Sequence, residues 1–298
     1  MNTYHKSVLV KEVLQFLDPR PHEIYIDATF GGGGHSREIL KKEPTCRVIA
    51  FDWDREALEK NAPPMKEEFG ERITCLWGNF AHIQRLLKKE LGILKVNGIL
   101  ADFGTSQTQI FKKEGFSFFV DSPLDMRMSP AHQRITAAHV LNTASESELA
   151  DIFFELGEER LSRKFARAIV EERKKNRFVQ TKQLADFIEM IVGGRRGRIH
   201  PSTRVFQALR IYVNKELENI KMLLAQSLDL LDEGGRLVCI SFHSLEDRIV
   251  KRFLIDHPCI LDNPGFKILT KSIVTASAEE LEENPSARSA RLRAAQRC

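Results

Sequence analysis

A chain of 298 residues, 42% hydrophobic and 29% charged, can bury a substantial core and has the length of about two domains of roughly 150 residues each. Its 45 Lys and Arg against 41 Asp and Glu leave a net charge of only +4, too small an excess to announce nucleic-acid binding, and no apolar stretch approaches the roughly 18 residues a membrane helix needs. The start, MNTYHKSVLVKEV, lacks the apolar core of a secretory signal, so a cytoplasmic chain with no membrane partner is expected. Five cysteines without CxxC spacing (Cys46, Cys75, Cys239, Cys259, Cys298) predict reduced thiols, with neither a disulfide framework nor a metal site.

Over the first hundred residues, apolar strand-like runs at 23–30, 46–54, 72–80 and 96–104 alternate with helix-like stretches, and a fifth run follows at 234–244. This alternation predicts an α/β fold with a mostly parallel, Rossmann-like sheet, whose ligands bind beyond the carboxyl ends of the strands. The interval between the fourth and fifth runs reads as helical. Ser145 and Glu148 form a capping box, and one-face stripes follow at Leu149, Ile152, Phe153 and Leu156, then Leu161, Phe165, Ala168 and Ile169, then Leu184, Phe187, Ile188 and Ile191. An all-helical domain at 111–200 is therefore expected inside a domain made of 1–110 and 201–298. One helix carrying Val205, Leu209, Val213, Leu217, Ile220, Leu224 and Leu228 should return the chain to the sheet and stop at Gly234 and Gly235. The Arg-rich tail from Asn284 reads as loosely ordered.

The strongest local signal is DATFGGGGHS, in which a strand ends at Asp27 and Gly31 to Gly34 lead into the helix-like HSREILKK. Glycines let a backbone approach a ligand closely, and a helix N-terminus offers free N–H groups with partial positive charge. Asp52 lies 21 residues beyond Gly31 at the end of the second run, where a carboxylate accepts from ribose hydroxyls. The dinucleotide pattern G-x-G-x-x-G fails, because Ser36 or Arg37 stands where its last glycine belongs, and this disfavours a nicotinamide-dependent oxidoreductase. Asp27 followed by Gly31 and Gly33 fits S-adenosylmethionine better. Asn79 and Phe80 could meet an adenine edge and face. Asp102, in ADFGTSQTQ at the end of the fourth run, and Ser106 after it offer acceptors to an exocyclic amine attacking a methyl carbon.

Several long strings then coincide: HKSVLVKEV, DATFGGGGHS, DFGTSQTQ, GFSF with SPLDMRM, LGEERLSRKFARAIVEER, HPSTRVFQALRIYVNKEL, ISFHSLEDRIVKRF and NPSARSARLR. Together, spanning nearly the whole chain, they resemble the MraW/RsmH family of S-adenosylmethionine-dependent methyltransferases. The resemblance implies methylation of the exocyclic amine of a cytosine in the decoding centre of 16S ribosomal RNA, with the assembled small subunit as partner. It also implies a Rossmann-like domain interrupted by a helical one, and cofactor contacts at Gly33, Gly34, His35, Asp52, Phe80, Asp102 and Gln109. The chain departs from the family pattern at Gln107, Glu114, Ser286 and DWDRE. These departures leave open a subunit-binding or assembly factor of weak catalysis that keeps the fold.

On the substrate side, Asp125 and Arg127 in PLDMRM could face the target base, or form a structural ion pair. His243, Ser244, Glu246 and Asp247 are too close in sequence for a hydrolase triad, and a substrate-side role for His243 and Ser244 is preferred. Charge is more informative locally. Residues 193–210 carry Arg195, Arg196, Arg198, Arg204 and Arg210 without an acid, and the tail carries Arg288, Arg291, Arg293 and Arg297. Such segments suit RNA phosphates, with His200, Arg204 and Arg288 as leading candidates. A homodimer is also left open.

Overall fold

The computed structural model describes residues 6–104, 113–194, 200–260 and 264–298. The chain divides into two compact units, one formed by 1–104 with 217–298 and the other by 105–216. In the first unit, α1 (Val10–Leu17) precedes the alternation β1 (Ile24–Asp27), α2 (Gly34–Lys42), β2 (Arg47–Asp52), α3 (Arg55–Phe69), β3 (Ile73–Trp77), α4 (Ile83–Leu91) and β4 (Val96–Asp102). β1, β2 and β4 are apolar almost throughout, as strands covered on both faces must be. Tyr25 and Ile26 of β1, Val48 to Phe51 of β2, and Ile99 to Ala101 of β4 are all buried.

The second unit lies in sequence between β4 and the next strand. Ser145 caps α6 (Glu146–Asp151), accepting the Glu148 N–H at 3.2 Å, after α5 (Ala137–Thr143). The chain does not continue as one regular helix, however, but passes into a π turn at Ile152–Leu156. Next come α7 (Ser162–Glu172), α8 (Thr181–Val192) and α9 (Thr203–Asn214). Their stripes form a core of their own, with Leu149, Phe153, Phe165, Ile169, Leu184 and Ile188 buried together with Val205, Phe206 and Leu209. Because α9 buries its apolar face in this core, the boundary falls at 216 and not at the expected 200. The single helix expected over 205–228 is likewise two, broken at Lys215, whose φ of 50° is left-handed, before α10 (Glu216–Leu230).

β5 (Leu231–Ser241) follows α10 directly, so Gly234 and Gly235 do not cap a helix as expected. They lie in a register shift between β4 and β5, where a Cβ on Gly235 would sit 2.8 Å from the Asp232 carbonyl oxygen and 3.1 Å from that of Asn97. After α11 (Ser244–Asp256), β6 (Phe266–Ile268) and α12 (Ala278–Glu283), the chain ends in β7 (Arg291–Arg297). The sheet has seven strands in the order β3-β2-β1-β4-β5-β7-β6, parallel through β5 and antiparallel at β7 and β6. Among the described residues no helix is long and apolar enough to cross a membrane.

The tail is therefore not loose. β7 pairs with both β5 and β6 and buries Leu292, Ala294 and Ala295. Its arginines are largely spoken for. Arg293 grips Asp247 of α11 in a fork, with Nε–Oδ1 at 2.6 Å and Nη2–Oδ2 at 3.1 Å, and Arg297 donates to the Leu228 carbonyl at 3.0 Å. The pairing also carries the chain end back past α11, where the Cys298 N–H donates to the Gly265 carbonyl at 3.1 Å and Cys259 and Cys298 form a disulfide, Cα–Cα 5.9 Å. This corrects the expectation of five free thiols; Cys46, Cys75 and Cys239 are free.

Arg293 and Asp247 are 14% and 12% exposed, so losing one partner strands the other out of water. Arg293→Ala is expected to lower unfolding stability by about 3–5 kcal/mol, and replacing both partners by Met and Leu should recover most of it. Urea unfolding of the three proteins checks this, and a single variant within about 1 kcal/mol of wild type would show that the pair does not hold the tail.

Candidate active site

Strand order reverses at β1, which lies between β2 and β4, and the crevice at the carboxyl ends there is where open α/β sheets bind ligands. The end of β1 is held by Asp27, 1% exposed, whose Oδ2 accepts from Ser36 Oγ at 2.7 Å and whose Oδ1 accepts from the Thr29 N–H at 3.1 Å. Burial raises the Asp27 pKa, opposed by the His35 ring and by the Ser36 and Thr29 hydrogen bonds. Thr29 Oγ1 in turn accepts the Asp102 N–H at 2.8 Å, joining the ends of β1 and β4. Between Asp27 and α2 the chain turns through Gly33, at φ +76°, where a Cβ would stand 2.9 Å from the Phe30 ring. At Gly32 a Cβ would meet nothing within 4 Å, so the loop is open on that side. The first turn of α2 then presents N–H groups that lack an intrahelical acceptor.

Asp52, 8% exposed at the end of β2, braces the same loop. Its Oδ2 accepts the Gly31 N–H and its Oδ1 the Asp54 N–H, both at 2.8 Å, while Asn61 of α3 donates to the Gly31 carbonyl at 2.8 Å. Burial pushes the Asp52 pKa up to about 7 against these two N–H donors, helped by the charges of Asp54 and Asp27. Each carboxylate oxygen keeps a lone pair for a further donor. Phe80, in the short turn after β3, has its ring 6.0 Å from that of buried Phe103. Asn79 is not left free for a base edge, since its side-chain oxygen caps that turn by accepting the Ala81 N–H at 2.9 Å.

His35 and Asp102 complete the group. His35 is 5% exposed, and its Nε2 lies 3.5 Å from Asp102 Oδ2, an electrostatic contact too long for a good hydrogen bond. Neither ring nitrogen nor Asp102 Oδ1 has a hydrogen-bond partner among the described residues. Burial works against charge on His35, but Asp102 and Asp27 outweigh it and the His35 pKa is raised. Orphaned buried polar groups facing an open glycine loop ask for a polar ligand.

These features fit S-adenosylmethionine. The α2 N–H groups suit its carboxylate, Asp52 its ribose hydroxyls and Phe80 the face of its adenine. Fold and site define a Rossmann-like, S-adenosylmethionine-dependent methyltransferase. The chain belongs to the MraW methylase family, whose model matches residues 2–298. It is 48% identical over 294 residues to the ribosomal RNA small subunit methyltransferase H of Cyanothece sp., covering 98% of this chain and 94% of that one. The protein of the same name from Syntrophotalea carbinolica is 47% identical, with 98% of each chain covered. Among solved structures, a rRNA methylase from Streptococcus thermophilus aligns with 96% of this chain and 92% of its own, at 12% identity and a TM-score of 0.41.

Of the residues expected at the site, the structure gathers Gly33, Gly34, His35, Asp52, Phe80 and Asp102 along one edge of the sheet; Ser106 and Gln109 lie outside the described residues. The substrate-side candidates are more scattered. In the helical unit, Arg127 clasps Asp125 through two bonds of 2.7 Å and also donates to the Gln133 carbonyl at 3.2 Å, which is the structural alternative. His200 packs on the Phe118 ring, centroids 4.7 Å apart, with Nε2 3.3 Å from Glu189, and Arg204 is exposed on α9. Arg210 is turned inward, with Nε 2.9 Å and Nη2 3.0 Å from the Glu216 carboxylate.

In the sheet unit, His243 and Ser244 stand at the start of α11, with His243 Nε2 3.2 Å from Glu246 Oε1. Glu246, 1% exposed, accepts the Phe242 and His243 N–H groups at 2.8 and 3.3 Å, so two of the four polar residues in this string, Glu246 and Asp247, serve the fold. Arg288 is exposed. Thr29, Asn61 and Phe103 were not foreseen. Asn61 is remote in sequence, and only the contact between α3 and the loop reveals it.

Donation from ribose hydroxyls favours the ionised form of Asp52, so binding lowers a pKa that is about 7 in the free protein. Affinity for S-adenosylhomocysteine should therefore rise with pH, by up to about tenfold per unit below 7, and level off above it. Asp52→Asn should bind more weakly with a flatter profile. Calorimetry from pH 5.5 to 8.5 checks both, and a wild-type profile that falls with pH would rule out this role.

Proposed function

We propose that this chain transfers the methyl group of S-adenosylmethionine to the exocyclic N4 amine of a cytosine in the decoding centre of 16S ribosomal RNA, within the small subunit and in the cytoplasm. The observation that carries the reading is the Asp102 carboxylate, which ends β4 beside the glycine loop with one buried oxygen unpartnered among the described residues. The cofactor, when bound, supplies an electrophilic methyl carbon. The amine's lone pair is partly delocalised into the cytosine ring, and an acceptor for one of its N–H groups draws that pair toward the nucleophilic geometry. As that methyl is taken up, Asp102 receives the proton that the amine releases along the hydrogen bond the carboxylate accepts. His35, whose charge Asp102 and Asp27 support, holds the carboxylate from behind. The relatives, ribosomal RNA small subunit methyltransferases, support the substrate class. An orphaned acceptor favours catalysis over a binding-only factor.

Labelled methyl transfer to small subunits that lack the modification tests this. Wild type should label them, and Asp102→Asn, with the circular dichroism of the native fold, should transfer about 100-fold more slowly or worse. Equal rates would remove Asp102 as the acceptor, and no label from wild type would overturn the proposal.

A further inference from the structure

Among the described residues Phe119 is the most exposed of the large hydrophobic side chains, at 77%, and it is not on a slack loop. Its own N–H donates to Ser117 Oγ at 3.2 Å. On its other side, Thr181 Oγ1 donates to the Val120 carbonyl at 3.0 Å and accepts the Ser122 N–H at 3.0 Å. The ring leans on Phe118, centroids 4.7 Å apart, and Phe118 is backed by His200 at 4.7 Å and by the edge of buried Phe206 at 5.0 Å. The helical unit thus holds out one aromatic face on a braced stack of rings.

We infer that Phe119 is a stacking platform for an unpaired base of single-stranded RNA, an inference that rests on the proposed RNA substrate. Charge around the stack favours this occupant. Lys182, across from Asp121, is exposed, as is Arg204 four residues beyond His200. Asp121 accepts the Lys182 N–H at 3.1 Å, and Glu189 pairs with His200 at 3.3 Å. Aromatic faces among arginines and lysines are how single strands are held, the rings taking bases and the cations taking phosphates. A second copy of this chain would bring the same cations face to face across a symmetric contact.

The test is binding of a fluorescent oligocytidylate of about twelve nucleotides, long enough to span a typical single-strand site, to the full chain as wild type, Phe119→Ala and Phe119→Trp at several salt concentrations. Phe119→Ala should bind about 5- to 150-fold more weakly with an unchanged salt slope, since no phosphate contact is lost. Phe119→Trp should keep wild-type affinity and show added emission that RNA quenches. Equal binding by Phe119→Ala overturns the inference, as does absence of binding by wild type. A self-association that Phe119→Ala abolishes, with RNA binding intact, overturns it in favour of a second copy. Methyl transfer to small subunits, assayed in parallel, separates the two readings: transfer by wild type with no effect of Phe119→Ala on RNA binding defeats the platform alone.

Discussion

Asp27 is closed off from water, yet its two oxygens tie different parts of the chain to the end of β1, one through Ser36 in the first turn of α2 and the other through the Thr29 N–H. A carboxylate is costly to bury without such donors. Once it is there, the path from β1 into α2 is tightly constrained, and Gly31 to Gly34 make the turn. Thr29 then passes the constraint to β4 through the Asp102 N–H, while Asp52 holds the loop from the other side through Gly31. The glycine loop is therefore held between three strand ends, β1, β2 and β4, all buried in one sheet. The groups left without partners, His35 and Asp102 Oδ1, are those that face outward from this frame.

The near-zero net charge conceals a division of labour among the arginines. Arg127, Arg210 and Arg293 each point a guanidinium at an acid of their own unit and close a turn, a helix end or a strand. Arg204, Arg288 and Lys182 remain exposed. The inward group stabilises geometry and adds little to the external field, so any RNA footprint is smaller and more localised than the count of basic residues implies.

Much of this was legible in the chain. The strand-and-helix alternation, the loop with Asp52 and the Ser145 cap are local patterns, in which short-range sterics and hydrogen bonding decide the outcome. The Glu148 half of the expected capping box is not made, its carboxylate accepting the Tyr212 hydroxyl at 3.0 Å instead. What could not be read depends on tertiary pairing. β7 is a short run of small and charged residues, RLRAAQR, that becomes a strand because β5 and β6 flank it. Gly234 and Gly235 resemble a helix cap in isolation, and only the close approach of the Asn97 carbonyl shows them to be a sheet irregularity. The continuous apolar stripe over 205–228 gives no warning of the left-handed Lys215. An arginine that closes an ion pair and one that waits for a phosphate look the same in sequence, and Asp247 and Glu216 tell them apart only once the chain is folded.

As proposed, the strand ends that Asp27 holds serve methyl transfer to the exocyclic amine of a cytosine in ribosomal RNA. Mass spectrometry of 16S ribosomal RNA fragments, from cells with and without the gene for this chain, tests it most directly. The account predicts a cytosine in the decoding centre that gains a methyl mass on its exocyclic nitrogen only when the protein is present. An identical methylation pattern in both samples, or a change confined to another kind of nucleotide, would contradict it.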